Sequence, residues 1–234
     1  MKSLIMLFLG SFLFSTSVFA SNLTLMPISL DITAPKIQDH FTVHNNGDEA
    51  VRMQLRIFRW EKKNGKDYYT PTKDVIVSPP FTTVKPNTDT IIRIVRTSKA
   101  PIVGEETYRV FLDELPSAKL VPQGARLNIL TRMVAPVFFS SGKLKKDMTT
   151  WRVRDAGSNF ELIGTNAGER RLKVSDVLLL DGKTVVGKKT GLVEYILGGT
   201  NAVLQIPRTA KGTPTKLRLL GEFGALEEDV VVSK

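Results

Sequence analysis

The chain has 234 residues, with 42% hydrophobic and 24% charged residues, which is enough for one large or two ordinary domains and excludes a disordered chain. It has no cysteine, so disulfides and thiol chemistry are excluded and the fold must hold by burial alone. The formal net charge of +10 reads as solubility or as a surface for acidic groups or a carboxylate; nucleic acid is disfavoured, because aromatic–basic interleaving of the stacking kind is missing.

The first segment stands apart. Met1-Lys2 is a short basic start, residues 4–14 are mostly apolar but about half the length needed to span a bilayer, and Val18-Phe19-Ala20 puts small residues where a signal peptidase reads. Residues 1–20 are expected to be a signal peptide cut after Ala20, the alternative being an uncleaved anchor. Export without cysteines favours a bacterial periplasm over a disulfide-rich secreted domain.

From Leu23 to Ile32 the pattern has a period of roughly two, and Pro27 marks an edge or sheet-switching strand. Residues 41–44 form the next strand, closed by the turn signal Asn45-Asn46-Gly47-Asp48. Residues 51–60 alternate cleanly, with Val51, Met53, Leu55 and Ile57 on one face and Arg52, Gln54 and Arg56 on the other, as a half-buried strand does. Asn64-Gly65 signals a hairpin. A short strand at 74–77 ends at Ser78-Pro79-Pro80, a site suited to a cis peptide. Strands follow at 90–95 and 107–112.

A loop with Pro and Gly, residues 116–124, leads into the longest apolar run, Ala125-Arg126-Leu127-Asn128-Ile129-Leu130-Thr131-Arg132-Met133-Val134-Ala135-Pro136-Val137-Phe138-Phe139. It reads as one long strand. Pro136 cannot donate to a ladder, which puts that end at a sheet edge. A long apolar edge strand is an aggregation hazard; Arg126 and Arg132 are either gatekeepers against it or parts of a strand meant to be lent to another protein.

Residues 140–147 are polar and place a domain boundary between 141 and 142. Beyond it, shorter strands are predicted at 150–153, 159–164, 171–180, 184–187, 193–197, 202–206, 216–222 and 228–232, with Asp181-Gly182 as a type I′ hairpin turn. Turns about every ten residues and the lack of any sustained helical period predict an all-β chain. It is read as two Ig-like β-sandwich domains in tandem, 21–141 and 142–234, joined by a short linker.

Signs of catalysis are weak. His40 and His44 share a strand face but lack a third ligand at a useful spacing. Gly182-Lys183-Thr184 has the end of a P-loop without its leading glycine, and Asp113-Glu114 and Glu227-Glu228 are adjacent, so on strands their carboxylates face opposite ways. No enzyme, cofactor or metal is expected.

Glu106-Thr107-Tyr108-Arg109-Val110-Phe111-Leu112-Asp113-Glu114-Leu115-Pro116 strongly resembles a strand signature of periplasmic pilus chaperones of the chaperone-usher pathway. The Tyr-Arg pair looks like the archaic branch, which assembles spore-coat-protein-U-like pilins. Phe58-Arg59-Trp60, Ser78-Pro79-Pro80, Ile91-Ile92-Arg93-Ile94 and Arg132 leading into Pro136-Val137-Phe138 fit the same branch. The resemblance covers essentially the whole mature chain, but its specific motifs lie in the first domain.

The resemblance implies a boomerang of two domains that binds pilin subunits by donor-strand complementation and hands them to an outer-membrane usher. The chaperone lends a strand to an incomplete Ig-like pilin. No ATP is used. It further implies that two cations in the cleft grip the pilin's C-terminal carboxylate, carried here to Arg109 and Arg132, whose planar forks suit a carboxylate. Leu127 and Ile129 are the implied groove contacts of the donor strand. Arg132 shares a face with Leu130 in an ideal strand, so either a bulge intervenes or the opposite face donates. Glu114 and Glu222 resemble acids of the family's interdomain salt-bridge network, but its usual arginine is Ala135 here. The alternative function is an exported Ig-like binding or adhesion module.

Overall fold

The computed structural model describes residues 22–63, 65–116, 129–142, 144, 148–191, 194–221 and 224–233. All regular structure among them is β. In chain order the strands are β1 (Leu23–Met26), β2 (Leu30–Thr33), β3 (Gln38–Asn45), β4 (Val51–Lys63), β5 (Lys66–Pro71), β6 (Val75–Ser78), β7 (Phe81–Val84), β8 (Asp89–Arg96), β9 (Glu105–Glu114) and β10 (Arg132–Ser140). Then come β11 (Thr149–Asp155), β12 (Asn159–Asn166), β13 (Leu172–Asp181), β14 (Thr184–Lys189), β15 (Glu194–Ile196), β16 (Asn201–Pro207), β17 (Lys216–Gly221), β18 (Gly224–Asp229) and β19 (Val232–Ser233).

These strands make four sheets. Two draw only on β1 to β10, with orders β1-β3-β8-β6 and β2-β10-β9-β4-β5, β7 pairing β4. Two draw only on β11 to β19, with orders β16-β12-β11-β19 and β14-β13-β17-β18, β15 pairing β13. Each pair of sheets closes on its own core. Phe41, Met53, Leu55, Ile92, Val110 and Val137 sit in the first, and Val153, Phe160, Leu162, Val177, Leu179 and Ile206 in the second. This is the two-sandwich Ig-like architecture.

Pro27 marks a change of sheet, as the sequence suggests. β1 pairs antiparallel with β3 in one sheet, and β2 pairs parallel with β10 in the other. The Met26–Pro27 and Ser78–Pro79 peptides are cis, as is Ala34–Pro35. The β4–β5 hairpin closes at Lys63 and Lys66 around the predicted turn. The β13–β14 turn differs from expectation: Gly182 has φ +58° and Lys183 does not have positive φ. A positive φ at the first central residue alone is the type II′ pattern rather than type I′.

The predicted long strand is shorter. Within the described residues the ladder begins at Arg132, and Ile129, Leu130 and Thr131 lie outside it. β10 pairs with β9 along its whole length, from Arg132 opposite Asp113 to Ser140 opposite Glu105. Its other edge is covered by β2 only from Val137 onward. Among the described residues the free edge is therefore at the start of β10, residues 132–136, and Pro136 stands where it ends. The expected sheet edge at the Pro136 end is found only up to Pro136, because β2 covers the strand from Val137 onward, where Val137, Phe138 and Phe139 are buried. A missing N–H at Pro136 fits a position one residue before β2 takes over the ladder.

Candidate functional site

The register fixes what shares a face with Arg109. On β9, Arg109, Phe111 and Asp113 lie opposite Pro136, Val134 and Arg132 of β10, and opposite Phe58, Arg56 and Gln54 of β4. Alternation puts all nine on the outer face of one sheet. Two rows further along, Trp60 and Phe138 would be exposed on a lone sandwich. Instead they are buried, at 1% exposure each, with Tyr195 and Leu197 of the second sandwich. This small aromatic core joins the two sandwiches: Tyr195 meets Trp60 edge-on at 5.5 Å and Phe138 at 6.0 Å.

Arg109 lies against this junction. Its guanidinium carbon is 3.8 Å from the Trp60 ring centroid and 5.3 Å from that of Tyr195. Its Nε is buried and has no hydrogen-bond partner. Among the described residues no carboxylate forms an ion pair with it. The two acids whose charge acts on it are already engaged, because Lys62 Nζ lies 3.0 Å from Asp67 and 2.8 Å from Glu194, and Trp60 Nε1 donates to Asp67 at 2.9 Å. Burial pushes the Arg109 pKa below the usual arginine value; Tyr69, Tyr195, Asp67 and Glu194 oppose that shift from a distance. A desolvated, unpaired cation oriented by an aromatic face is built to receive an anion.

Arg132 is placed differently. It is exposed, and its Nε donates to Asp113, which also accepts from Arg56 Nη2 at 2.5 Å. It sits four ladder positions from the Arg109 row, about 13 Å along the strands. The structure therefore does not bring the two arginines to one point. One arginine, Arg109, has no ion pair among the described residues and lies at the junction, and the other, Arg132, is bound to Asp113 at the start of β10. Ile129 is exposed at 53%. Leu127 lies outside the described residues.

Asp113 carries a pH signature. Despite the penalty of burial, its hydrogen bonds and charge pairing with Arg56 and Arg132 hold its pKa below the usual aspartate range. A carboxylate depressed on folding adds stability above its ordinary pKa and loses it as pH falls through the depressed value. Because both arginines are substantially exposed, the contribution is discounted to about 1 kcal/mol or less. Asp113→Asn should melt slightly lower than the parent near pH 7, with the gap closing below about pH 4. Melting curves at the two pH values check it.

The sequence did not expose the ion pairs at the junction. Arg171 is 2% exposed; it bonds Glu105 through both its backbone N, at 3.0 Å, and its Nη1, and bonds Asp31 through Nη2 at 2.5 Å. Its guanidinium carbon stacks 3.4 Å from the Phe138 ring centroid. Burial raises the Glu105 pKa, against the pull of Arg171. Of the acids singled out for this network, Glu114 accepts from the backbone N of Thr131 at 3.0 Å, and Glu222 lies outside the described residues. The only signal in sequence is the run Glu169-Arg170-Arg171, which looks like any solvated charge cluster.

Comparison with known proteins follows this geometry. Three solved structures have the same fold. One is a chain of the CsuC–CsuE chaperone–tip adhesion subunit pre-assembly complex from archaic chaperone-usher Csu pili of Acinetobacter baumannii (20% identity, TM-score 0.67, covering 92% of this chain and 100% of that one). Another is from the complex of the Salmonella enterica SafA pilin with the SafB chaperone (18%, 0.67, 91% and 98%). The third is the E. coli chaperone DraB (17%, 0.61, 89% and 98%). Curated proteins give no significant sequence match. Residues 22–145, more than half the chain, match the profile of the PapD N-terminal domain of pili and flagellar-assembly chaperones. The chain belongs to the family of pili and flagellar-assembly chaperones.

Proposed function

We propose that this protein is a periplasmic chaperone for pilin subunits, working by donor-strand complementation and passing its cargo to an outer-membrane usher. The observation that carries the reading is a strand edge ending at a cation. Among the described residues, positions 132–136 of β10 have a bare edge. That edge stops at Pro136, whose partner on β9 is Arg109. A subunit chain pairing along it toward the junction must leave the sheet there, with its C-terminal carboxylate beside Arg109.

In this reading Arg109 is the carboxylate anchor. Arg132 lies along the docked edge rather than at its end. Leu127 and Ile129 precede β10 and supply groove contacts. Residues 1–20 direct export, and the two sandwiches divide between 141 and 142. Binding by main-chain pairing and one ion pair needs neither nucleotide nor metal.

Co-expression with a pilin encoded in the same gene cluster should give a soluble one-to-one complex. A pilin that stays equally soluble and protease-resistant without this protein would overturn the reading. An exported adhesion module would instead bind a glycan or host protein and have no pilin gene beside it.

A further inference from the structure

The junction around Arg109 holds anions of its own. Lys62 lies two residues beyond Trp60 on the same face of β4. Its side chain is 3% exposed, and its Nζ is shared by Asp67 of the first sandwich, at 3.0 Å, and Glu194 of the second, at 2.8 Å. Asp67 also accepts from the Trp60 indole and, at 3.2 Å, from the Tyr69 hydroxyl. That indole is the ring on which Arg109 stacks. Glu194 directly precedes Tyr195, the other ring near Arg109, and its Oε1 accepts from the Tyr195 backbone N at 2.8 Å. One lysine needs one carboxylate, and Asp67 already serves, so Glu194 is a surplus negative charge on Lys62. The charges of both acids favour the cationic form of Arg109 against its burial. Arg109 and Lys62 are thus balanced by Asp67 and Glu194 before any cargo arrives.

We propose that Glu194 is a built-in competitor of the cargo carboxylate, a fixed anion that weakens the grip of Arg109 on the end of the bound chain. The proposal rests on the reading of Arg109 as carboxylate anchor. A desolvated cation with no anion near it is costly in the empty protein and grips any small anion that reaches it. With Glu194 present the empty junction is neutral, and an arriving carboxylate takes the five groups together to a net charge of −1. Its attraction to Arg109 is then offset in part by repulsion from Glu194, and both act across a medium less polar than water. Lys62 and the Tyr195 backbone N–H hold Glu194 in place, so it does not swing clear when the cargo enters. Through this one charge the second sandwich sets the strength of an anchor carried by the first, and keeps a bound chain releasable.

The test uses the full mature chain and an eight-residue peptide of alternating valine and threonine, labelled at its N-terminus and made with a free or an amidated C-terminus; binding is read by fluorescence anisotropy. Glu194→Gln keeps an acceptor for Lys62 and for the Tyr195 N–H but removes the charge. It should bind the free acid about tenfold tighter than the parent does and leave binding of the amide unchanged. A merely structural role for Glu194 would instead shift acid and amide together. Asp67→Asn, at a side chain 35% exposed, is the second variant if Glu194→Gln does not fold, and should tighten acid binding in the same sense. A parent that prefers the acid to the amide, with a variant that binds the acid no tighter or tightens both peptides alike, would overturn this proposal and leave the anchor standing. Equal binding of acid and amide by the parent, or no binding of the free acid at millimolar concentration, would overturn both.

Discussion

Arg109→Met is expected to abolish capture of a pilin subunit while leaving the chaperone folded. If a subunit carboxylate is buried against this guanidinium, its loss leaves that carboxylate desolvated and unpaired, at about 2–5 kcal/mol. That is roughly thirtyfold to several-thousandfold in affinity. The free protein loses little. Arg109 has no ion pair among the described residues, its Nε has no partner, and burial disfavours its charge. What disappears is its stacking on Trp60, worth about 0.5–2 kcal/mol, and a methionine side chain restores part of that contact. Pull-downs and thermal melts on the same variant decide the point. A variant that melts several degrees lower yet still captures its subunit would make Arg109 structural.

Arg171 should give the opposite pattern. Arg171→Ala is expected to destabilise the protein by about 3–5 kcal/mol, because it leaves Glu105 buried without its counter-charge. The Glu105 side chain is 3% exposed, so water cannot replace the arginine without opening the junction. Asp31 is 42% exposed and suffers less. Removing both charges together, Glu105→Gln with Arg171→Met, should be milder than either change alone, since no lone charge remains. Calorimetry of the parent, the two single variants and the double variant measures the coupling. Additive losses would show that the pair is not the bond holding the sandwiches together.

How far the sequence spoke depended on how many faces of a strand were covered. From Val51 to Ile57 burial alternates, and the alternation is plain in the residues. Past Phe58 the same strand runs under the second sandwich, so Trp60 is buried on the face that should have been wet, and period two says nothing about it. The apolar run before Arg132 carried strand propensity but, at 129–131, no ladder; propensity reports a fit to a pleated surface and cannot supply a partner. β7 was not predicted, and β18 and β19 were read as one strand at 228–232, because five of the six β18 residues are simply exposed and β7 and β19 are too short to show a period. Arg109 was legible through a motif. Arg171 was not, since a buried arginine and a solvated one are spelled alike.

β10 has one more consequence. Its first half is the bare edge, and its second half delivers Phe138 into the junction, with Arg171 stacked on its ring and Trp60 beside it. Between the two halves there is no glycine and no break in the pairing with β9. The same unbroken strand thus spans the distance from the proposed docking edge to the contact between the sandwiches, with β9 paired along all of it. By thermodynamic reciprocity, cargo that prefers one angle between the sandwiches and a junction that imposes one must bias each other by the same free energy. If a subunit docks on the first half of β10, cargo binding and the angle between the sandwiches become linked quantities.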